Sequence, residues 1–212
     1  MKIEINGLTK KFGEISLFEE LNLEIKDKKI TCLYGSSGCG KTTILNIIGL
    51  IEPYDKGRVF YDGREVIKKN EKRNFLRNDV GFIFQDFGLL ENETVLQNMK
   101  LVYKIRKSKD PADRIDKVLQ QLQLENMLYR KVYELSGGEQ QRIAIAKLIL
   151  KDPQLVLADE PTASLDEENK KIVLTMIKKL RDLGKTIIIV SHDDEVREFA
   201  DHSIDLNERR KA

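Results

Sequence analysis

Three short apolar runs stand out along the chain, and a polar residue follows each of them. They cover residues 29–34, 155–158 and 186–190. Uninterrupted apolar runs of this length are typical of parallel strands that are buried on both faces of a sheet. In open α/β sheets ligands bind beyond the carboxyl ends of such strands, so we expect the functional residues there.

Helical periodicity fills much of the chain between these runs. A helix is predicted over 42–50, and another over 166–183, which begins with acidic residues, ends with basic ones and stops at Gly184. Between 86 and 150 the pattern is helical without strands. Asp110-Pro111 predicts one helix start there, and apolar residues follow with a spacing of three and four at Ile115, Val118, Leu119 and Leu122.

The first 64 residues or so favour β-structure. Residues 1–6 alternate between polar and apolar, and turns are predicted at Lys56-Gly57 and Asp62-Gly63. A further apolar strand is predicted over 80–85. We therefore predict one α/β domain over 1–212, with a core formed by 1–85 and 151–212 and an inserted helical subdomain at about 86–150.

Charge and composition narrow the class of protein. The chain has 37 Lys and Arg against 35 Asp and Glu, a net charge of +2, which gives no broad positive field of the kind that nucleic-acid binders use. We expect no nucleic-acid partner. No run approaches 18 apolar residues and the N-terminus has no signal-peptide core, so a cytoplasmic location is predicted. Cys32 and Cys39 are expected to be reduced there.

Residues 35–42 fit the phosphate-loop pattern G-x-x-x-x-G-K-[ST]. Glycines let the backbone N–H groups of such a loop point inward, and the helix that follows presents its positive end to a phosphate. Lys41 is then placed to bridge the β- and γ-phosphates and Thr42 to bind Mg²⁺. The alternative is an ordinary Gly-Ser turn before a helix. We also expect a maleimide on Cys39 to block nucleotide binding.

Two further motifs follow the loop in the sequence. Residues 135–140 are Leu-Ser-Gly-Gly-Glu-Gln, a hexapeptide expected by chance in on the order of one chain in a hundred thousand. The apolar run 155–158 ends in Asp159 and Glu160. In this order the motifs resemble the ATPase subunit of an ABC (ATP-binding cassette) transporter, over about residues 3–205. The resemblance implies a P-loop NTPase fold with a mostly parallel sheet, an N-terminal antiparallel β region and a helical insert.

The carboxylates at the strand end have separate predicted roles. Asp159 is placed to hold Mg²⁺ through a water, and Glu160 to polarise the water that attacks the γ-phosphate. The resemblance implies that Glu160 is the catalytic base, that His192 contacts the γ-phosphate and orients the water, and that Gln85 reaches Mg²⁺ and links the nucleotide to a membrane partner. The alternatives are a salt-bridged surface acid at 160 and an ordinary polar residue at 192.

Two predicted contacts lie outside the phosphate loop. Phe12 lies 23 residues before Gly35, where the family has an aromatic residue that stacks on adenine. A core phenylalanine is the alternative. The full nucleotide-binding set that we predict is Phe12, Gly35, Ser36, Ser37, Gly38, Cys39, Gly40, Lys41, Thr42, Thr43, Ser136, Gly137, Gly138 and Glu139, with Thr42, Gln85 and Asp159 as the metal site.

Ser136, Gly137 and Gly138 open a predicted helix and so form a second anion site. If they lie at the tip of the helical insert, they cannot serve the phosphate loop of their own chain. Two anion sites at opposite ends of one chain predict a head-to-tail homodimer that clamps ATP between its copies. Residues 164–166, Ser-Leu-Asp, match the loop that crosses this interface in the family.

Residues 77–85 and 135–146 are similar to the branch of lipoprotein release, macrolide export and antimicrobial-peptide export. Asp86, Gly88 and Ala163 depart from that branch. The resemblance implies hydrolysis of MgATP that drives an integral membrane permease, with export or release of a peptide, lipoprotein or antimicrobial compound, from the inner face of the cell membrane. A cytosolic ABC ATPase of DNA repair or translation is the alternative, although such proteins have two cassettes or long coiled-coil arms.

Overall fold

Two β-sheets with helices packed against them form the structure. The computed structural model describes residues 1–84, 86–106, 112–163 and 165–209. The strands are β1 (Ile3–Phe12), β2 (Ile15–Ile25), β3 (Ile30–Tyr34), β4 (Lys56–Tyr61), β5 (Arg64–Glu65), β6 (Val80–Ile83), β7 (Leu155–Asp159), β8 (Thr186–Val190) and β9 (His202–Asp205). The α-helices are α1 (Lys41–Ile48), α2 (Lys69–Asn78), α3 (Val95–Arg106), α4 (Ala112–Gln121), α5 (Gly137–Lys151), α6 (Glu167–Asp182), α7 (Asp194–Phe199) and α8 (Leu206–Arg209).

The larger sheet is parallel and has the strand order β6-β7-β8-β3-β9. The three predicted apolar strands are neighbours at its centre. Alternate residues of β7 face two different cores: Leu155 and Leu157 pack with α1 and the N-terminal strands, whereas Val156 and Ala158 pack with α5 and α6. Because β7 is buried on both faces, the residues at its carboxyl end stand on a rigid support.

The second sheet is antiparallel, with the order β2-β1-β4-β5, as the resemblance implied. The turn predicted at Lys56-Gly57 is wrong, because β4 begins there. Gly57 has φ 98°, and a Cβ at this position would lie 2.6 Å from the Gly7 carbonyl oxygen. A glycine is therefore needed where β4 crosses β1, and the predicted turn at Asp62-Gly63 lies between β4 and β5.

Helices dominate the segment between β6 and β7. The four apolar residues predicted to share one helix face, Ile115, Val118, Leu119 and Leu122, are all buried. They belong to the core that α5 and α6 also line, and α3 and α4 pack on α5. Within the described part of 86–150, an isolated bridge between Thr94 and Lys131 is the only β pairing. Asp110-Pro111 lies outside the described residues.

Helix α2 was not predicted from the sequence. Its only buried residue is Phe75, which packs on Tyr61 with ring centroids 4.5 Å apart. With one buried side chain in ten residues, the helix has no apolar stripe to detect. None of the helices within the described ranges combines the length and the apolar character that crossing a membrane requires.

Candidate functional site

A cleft of about 460 Å³ opens where the carboxyl ends of β3, β7 and β8 meet. Parallel strands bring residues that are far apart in the sequence to one edge of the sheet. The cleft is therefore bordered by the phosphate loop, the end of β7, His192 after β8 and the end of β1. It is lined by Phe12, Leu17, Ser37, Gly38, Gly40, Lys41, Thr42, Thr43, Asp159, Glu160, Ala163 and His192.

The phosphate loop is closed by its own lysine. Lys41 Nζ donates hydrogen bonds to the carbonyl oxygens of Gly35 at 2.8 Å and Ser36 at 3.1 Å. Ser36 Oγ donates to Asn207 Oδ1 at 2.7 Å, which anchors the loop to α8. Helix α1 begins at Lys41, so its unpaired N–H groups and its positive end face the cleft. The loop therefore has the donors that a phosphate group requires.

The loop packs tightly on the core beneath it. Gly40 has φ 98°, and a Cβ there would lie 2.5 Å from Phe18 Cζ, so only glycine fits. The Cys39 side chain is fully buried in the same core. The expectation of an accessible Cys39 thiol is wrong, because this side chain packs into the core and does not line the cleft; that a maleimide there would block nucleotide binding stays a prediction. Cys32 is also buried, and burial raises the pKa of its thiol to about 11.

Thr42 and Asp159 meet across the floor of the cleft. Thr42 Oγ1 donates to Asp159 Oδ1 at 3.2 Å. Burial raises the pKa of the Asp159 carboxyl, against the opposing effects of the Thr42 hydrogen bond and the Lys41 charge. A hydroxyl and a carboxylate oxygen this close are hard oxygen donors of the kind that bind Mg²⁺ together with phosphates, so this pair fits that ion. Gln85, the other predicted metal ligand, lies outside the described residues.

Glu160 is oriented by its backbone and by two side chains. Its φ of 46° lies in the left-handed region, and its N–H donates to the Val190 carbonyl at 3.0 Å. Ser191 Oγ donates to one carboxylate oxygen at 3.2 Å, and His192 Nδ1 lies 2.9 Å from the other. The hydrogen bond with Glu160 and its negative charge raise the pKa of His192. Ser191 was not singled out in the sequence, although its position just before His192 was a usable signal.

Phe12 ends β1 at the rim of the cleft. Its side chain is 50% exposed, so the core-phenylalanine alternative is wrong. Leu17, on β2, lines the cleft beside it. Lys10 Nζ lies 4.6 Å from the centroid of the Phe12 ring. An exposed ring beside a phosphate-binding loop offers a flat surface for a nucleobase.

Ser136 to Glu139 do not line this cleft. Ser136 caps α5: its Oγ accepts from the Glu139 N–H at 3.4 Å, and the Glu139 carboxylate accepts from the Ser136 N–H at 2.7 Å. Gly137 is exposed, whereas Gly138 packs against α6, where a Cβ would lie 2.2 Å from Asn169 Oδ1. The predicted nucleotide-binding set is thus divided between two places. Ser164, in the predicted interface loop, lies outside the described residues.

Comparison with known proteins agrees with this arrangement. The sequence model of the ABC transporter family matches residues 18–163. The chain belongs to the ABC transporter family. An uncharacterised ABC transporter ATP-binding protein of Methanocaldococcus jannaschii is 37% identical, over 90% of this chain and 87% of its own. The lipoprotein-releasing system ATP-binding protein LolD of Bacteroides thetaiotaomicron is also 37% identical, over 96% of each chain.

Longer relatives and solved structures complete the comparison. The macrolide export ATP-binding/permease protein MacB of Vibrio parahaemolyticus is 35% identical over 97% of this ABC subunit, which spans 33% of the MacB chain. A solved ATP-binding cassette, dimeric and bound to ADP and Pi after hydrolysis, superimposes with a TM-score of 0.85. It is 33% identical, over 96% of this chain and 93% of its own. The fold is that of an ABC ATPase, and the protein is the ATP-binding subunit of a transporter.

Proposed function

We propose that the cleft binds MgATP and that Glu160 is the general base of its hydrolysis. One observation carries the assignment: the phosphate loop, the Thr42–Asp159 pair and the Glu160–His192 pair all line one cleft. Thr42 and Asp159 would hold Mg²⁺, with Gln85 as the third predicted ligand, and the ion would neutralise part of the phosphate charge. Lys41 turns from the loop carbonyls toward the β- and γ-phosphates.

The catalytic step assigns one role to each side chain. Glu160 accepts a proton from water while the water oxygen attacks the γ-phosphorus and the bond to the bridging oxygen of ADP breaks. Ser191 and His192 hold the carboxylate on both of its oxygens, so it does not need to reorient. His192 also donates to the γ-phosphate. Phe12 stacks on the adenine base.

The second half of the site comes from another copy of the chain. Ser136, Gly137 and Gly138 form the start of α5, which does not line the cleft of its own chain and whose N–H groups suit a γ-phosphate. A head-to-tail homodimer places this segment over the phosphate loop of the partner subunit, with ATP between them. The dimeric cassette bound to ADP and Pi supports this arrangement.

The subunit drives a membrane permease, to which it binds at the inner face of the cell membrane. The relatives named for lipoprotein release and for macrolide export support a role in the release or export of a peptide, lipoprotein or antimicrobial compound. The cargo is identified by measuring which compounds stimulate ATPase activity in the assembled permease complex. A lipoprotein, peptide or antimicrobial compound should raise the rate of ATP hydrolysis. If no compound of these classes raises it, the assignment to this branch is wrong.

The dimer and the base are tested together with Glu160→Gln. This variant is expected to bind MgATP but to hydrolyse it about 10² to 10⁴ times more slowly, because the general base is lost. The intact γ-phosphate then holds two copies together. Size-exclusion chromatography should show a dimer with MgATP and a monomer with ADP. Hydrolysis at the wild-type rate would show that Glu160 is not the base.

Ser136→Arg, added to Glu160→Gln, tests the second half of the site. The bulky side chain should abolish the MgATP-dependent dimer, while nucleotide binding to each monomer persists. Ser136→Ala is the matched control, because it also removes the cap of α5, worth about 1 kcal/mol, without adding bulk. If the arginine variant dimerises as well as its parent, residues 136–139 are not the second half of the site.

A further inference from the structure

Lys10 is a buried lysine near the end of β1 that nucleotide hydrolysis does not explain. It is 6% exposed, and its Nζ lies 2.5 Å from Glu52 Oε1 and 2.9 Å from the Pro53 carbonyl oxygen. A buried ammonium group is costly unless it is paired and hydrogen-bonded, and these two oxygens meet that need. They also fix its position, 4.6 Å from the centroid of the Phe12 ring.

The partners of Lys10 belong to the segment that follows α1. Glu52 donates its own N–H to the Asn46 carbonyl within α1 at 3.2 Å. On the other side of Lys10, the Lys11 N–H donates to Asp55 Oδ2 at 2.7 Å, and the Asp55 N–H donates to the Thr9 carbonyl at 3.0 Å. Segment 52–55 is therefore bound to the end of β1 through side chains and backbone.

The contacts between segment 52–55 and the end of β1 connect the phosphate loop to Phe12. Helix α1 starts in the phosphate loop at Lys41, and the segment after its end holds the strand that carries Phe12. The distance from the phosphate-binding N–H groups to the Phe12 ring is thus set by one continuous element and one buried ion pair. The Lys10 ammonium group lies over one face of the ring, and the half-exposed ring also lines the cleft.

We propose that Lys10, held by Glu52, is a positioning residue for the Phe12 ring and thereby strengthens the binding of the purine base. The proposal rests on the proposed function, in which Phe12 stacks on adenine. The cation attracts the electron-rich face of the ring and restricts its rotation. The base then stacks on a ring that is already in place, so less conformational freedom is lost when the nucleotide binds. Lys10 touches neither the phosphates nor the attacking water, so it acts on affinity and not on chemistry.

The experiment compares two ligands that share a triphosphate and differ in the base. Dissociation constants for MgATP and for magnesium tripolyphosphate are measured by calorimetry on the full chain, with kcat and KM for ATP hydrolysis. Lys10→Met is expected to weaken MgATP binding about 5- to 10-fold, because part of the contribution of base stacking is lost. Tripolyphosphate affinity and kcat should stay within about twofold of wild type. Lys10→Arg keeps a cation and should restore most of the ATP affinity.

Two further variants separate the charge from the fold. Lys10→Met with Glu52→Gln removes both members of the ion pair and leaves no buried charge unpaired, so it stays folded if the single variant does not. Lys11→Met, at the neighbouring exposed lysine, is the matched control for the loss of one positive charge and should leave MgATP affinity unchanged. If Lys10→Met weakens tripolyphosphate binding as much as ATP binding, its role is structural and the proposal is overturned.

Phe12→Leu decides whether the effect passes through the ring. In that background Lys10→Met should change MgATP affinity less than about twofold, because the stacking surface is already absent. If Phe12→Leu weakens ATP binding and the Lys10 variants do not, the positioning role of Lys10 is overturned and the role of Phe12 stands. If Phe12→Leu itself leaves ATP affinity unchanged, base stacking in the proposed function is wrong, and the proposal for Lys10 falls with it.

Discussion

The cleft and the start of α5 are the two surfaces that we propose to bind phosphate at a helix N-terminus, yet they differ in which side chains surround them. In the cleft, side chains from other elements lie close to the start of α1. Asp159 and Glu160 lie at the end of β7, and His192 follows β8. At the start of α5, Ser136 and Glu139 satisfy each other locally. The cleft carries the charged groups that chemistry needs, whereas the start of α5 carries only a cap and two glycines.

This difference explains why the proposed nucleotide site needs a second copy of the chain. A catalytic surface must hold several side chains in fixed relative positions, and the parallel sheet provides that support. A clamping surface needs only N–H groups that can approach a phosphate closely, and an exposed helix start provides those. The four predictions below perturb one surface at a time, so each effect should stay on the side of the molecule where the change is made.

The largest effect is expected at Gly40. Gly40→Ala combines a φ of 98° with a Cβ 2.5 Å from Phe18 Cζ and 3.0 Å from Leu17 Cδ2. We expect the free energy of unfolding in urea to fall by about 2–4 kcal/mol, and MgATP binding to be lost with the loop geometry. Gly38→Ala is the control: φ is 76° but nothing lies within 4 Å, so the loss should stay near 1 kcal/mol. Equal losses at the two positions would show that the packing against Phe18 does not matter.

The next effect is expected at Gly137, on the other surface. A Cβ there would meet nothing closer than Phe87 Cζ at 4.0 Å, and the backbone is helical. Gly137→Ala should therefore change the free energy of unfolding by less than about 1 kcal/mol. In the Glu160→Gln background it should weaken the MgATP-dependent dimer about tenfold, because the methyl group occupies the space of a phosphate oxygen. Sedimentation measurements that find an unchanged dimer would place the clamp elsewhere.

A smaller effect is expected at Asp193, just after the cleft histidine. Lys170 Nζ on α6 lies 2.6 Å from its Oδ2, and the hydrogen bond from Lys170 lowers the pKa of Asp193 below its ordinary 3.8. A lowered pKa stabilises the fold above the ordinary value, and this stability is lost as pH falls through the folded-state pKa. Asp193→Asn should therefore cost about 1 kcal/mol at pH 7, and the difference should shrink below about pH 4. Urea unfolding at the two pH values measures this difference, and Glu198→Gln, at an exposed acid of α7, is the control for the loss of one negative charge.

The smallest effect is a change in the pKa of His192. Because Glu160 raises this pKa, Glu160→Gln should lower it toward the ordinary 6.5 in an NMR titration. The Glu160–His192 pair therefore stabilises the fold fully below pH 6.5. This stabilisation is lost as pH rises through the folded-state pKa of His192. Ser136→Ala should leave the His192 pKa unchanged. A shift in that variant would mean that the two surfaces communicate within one chain.

Much of the cleft could be predicted because its residues stand at strand ends. The three apolar runs determined the three central strands, and each run is followed by residues that line the cleft or support it. Leu17 and Ala163 line the same cleft but were not identified. Leu17 reaches it through the pairing of β1 with β2, which contains register shifts that no local pattern shows. The start of α5 was expected to serve another copy of the chain if it lay at the tip of the insert, and its residues do not line the cleft of their own chain.

The wrong predictions concern how deeply a side chain is buried and which distant segments come into contact. Cys39 was predicted from the loop motif alone, which does not show that the side chain packs into the core below. The turn predicted at Lys56-Gly57 used glycine as a turn signal, whereas Gly57 is needed for its approach to β1. Lys10 belongs to no motif that the sequence shows. Its role depends on Glu52, which is brought to it only when α1 and β1 pack.

The left-handed backbone of Glu160 has an evolutionary consequence. A glutamate in this conformation costs about 1 kcal/mol relative to residues that adopt it readily, such as glycine or asparagine. Neither of those residues can place a carboxylate in the cleft. With Glu160 as the proposed base, mutational drift toward a more stable fold at this position is drift toward an inactive enzyme. A sequence that keeps glutamate here is under selection for turnover and not merely for folding, which makes position 160 a useful marker when active cassettes must be told from degenerate copies.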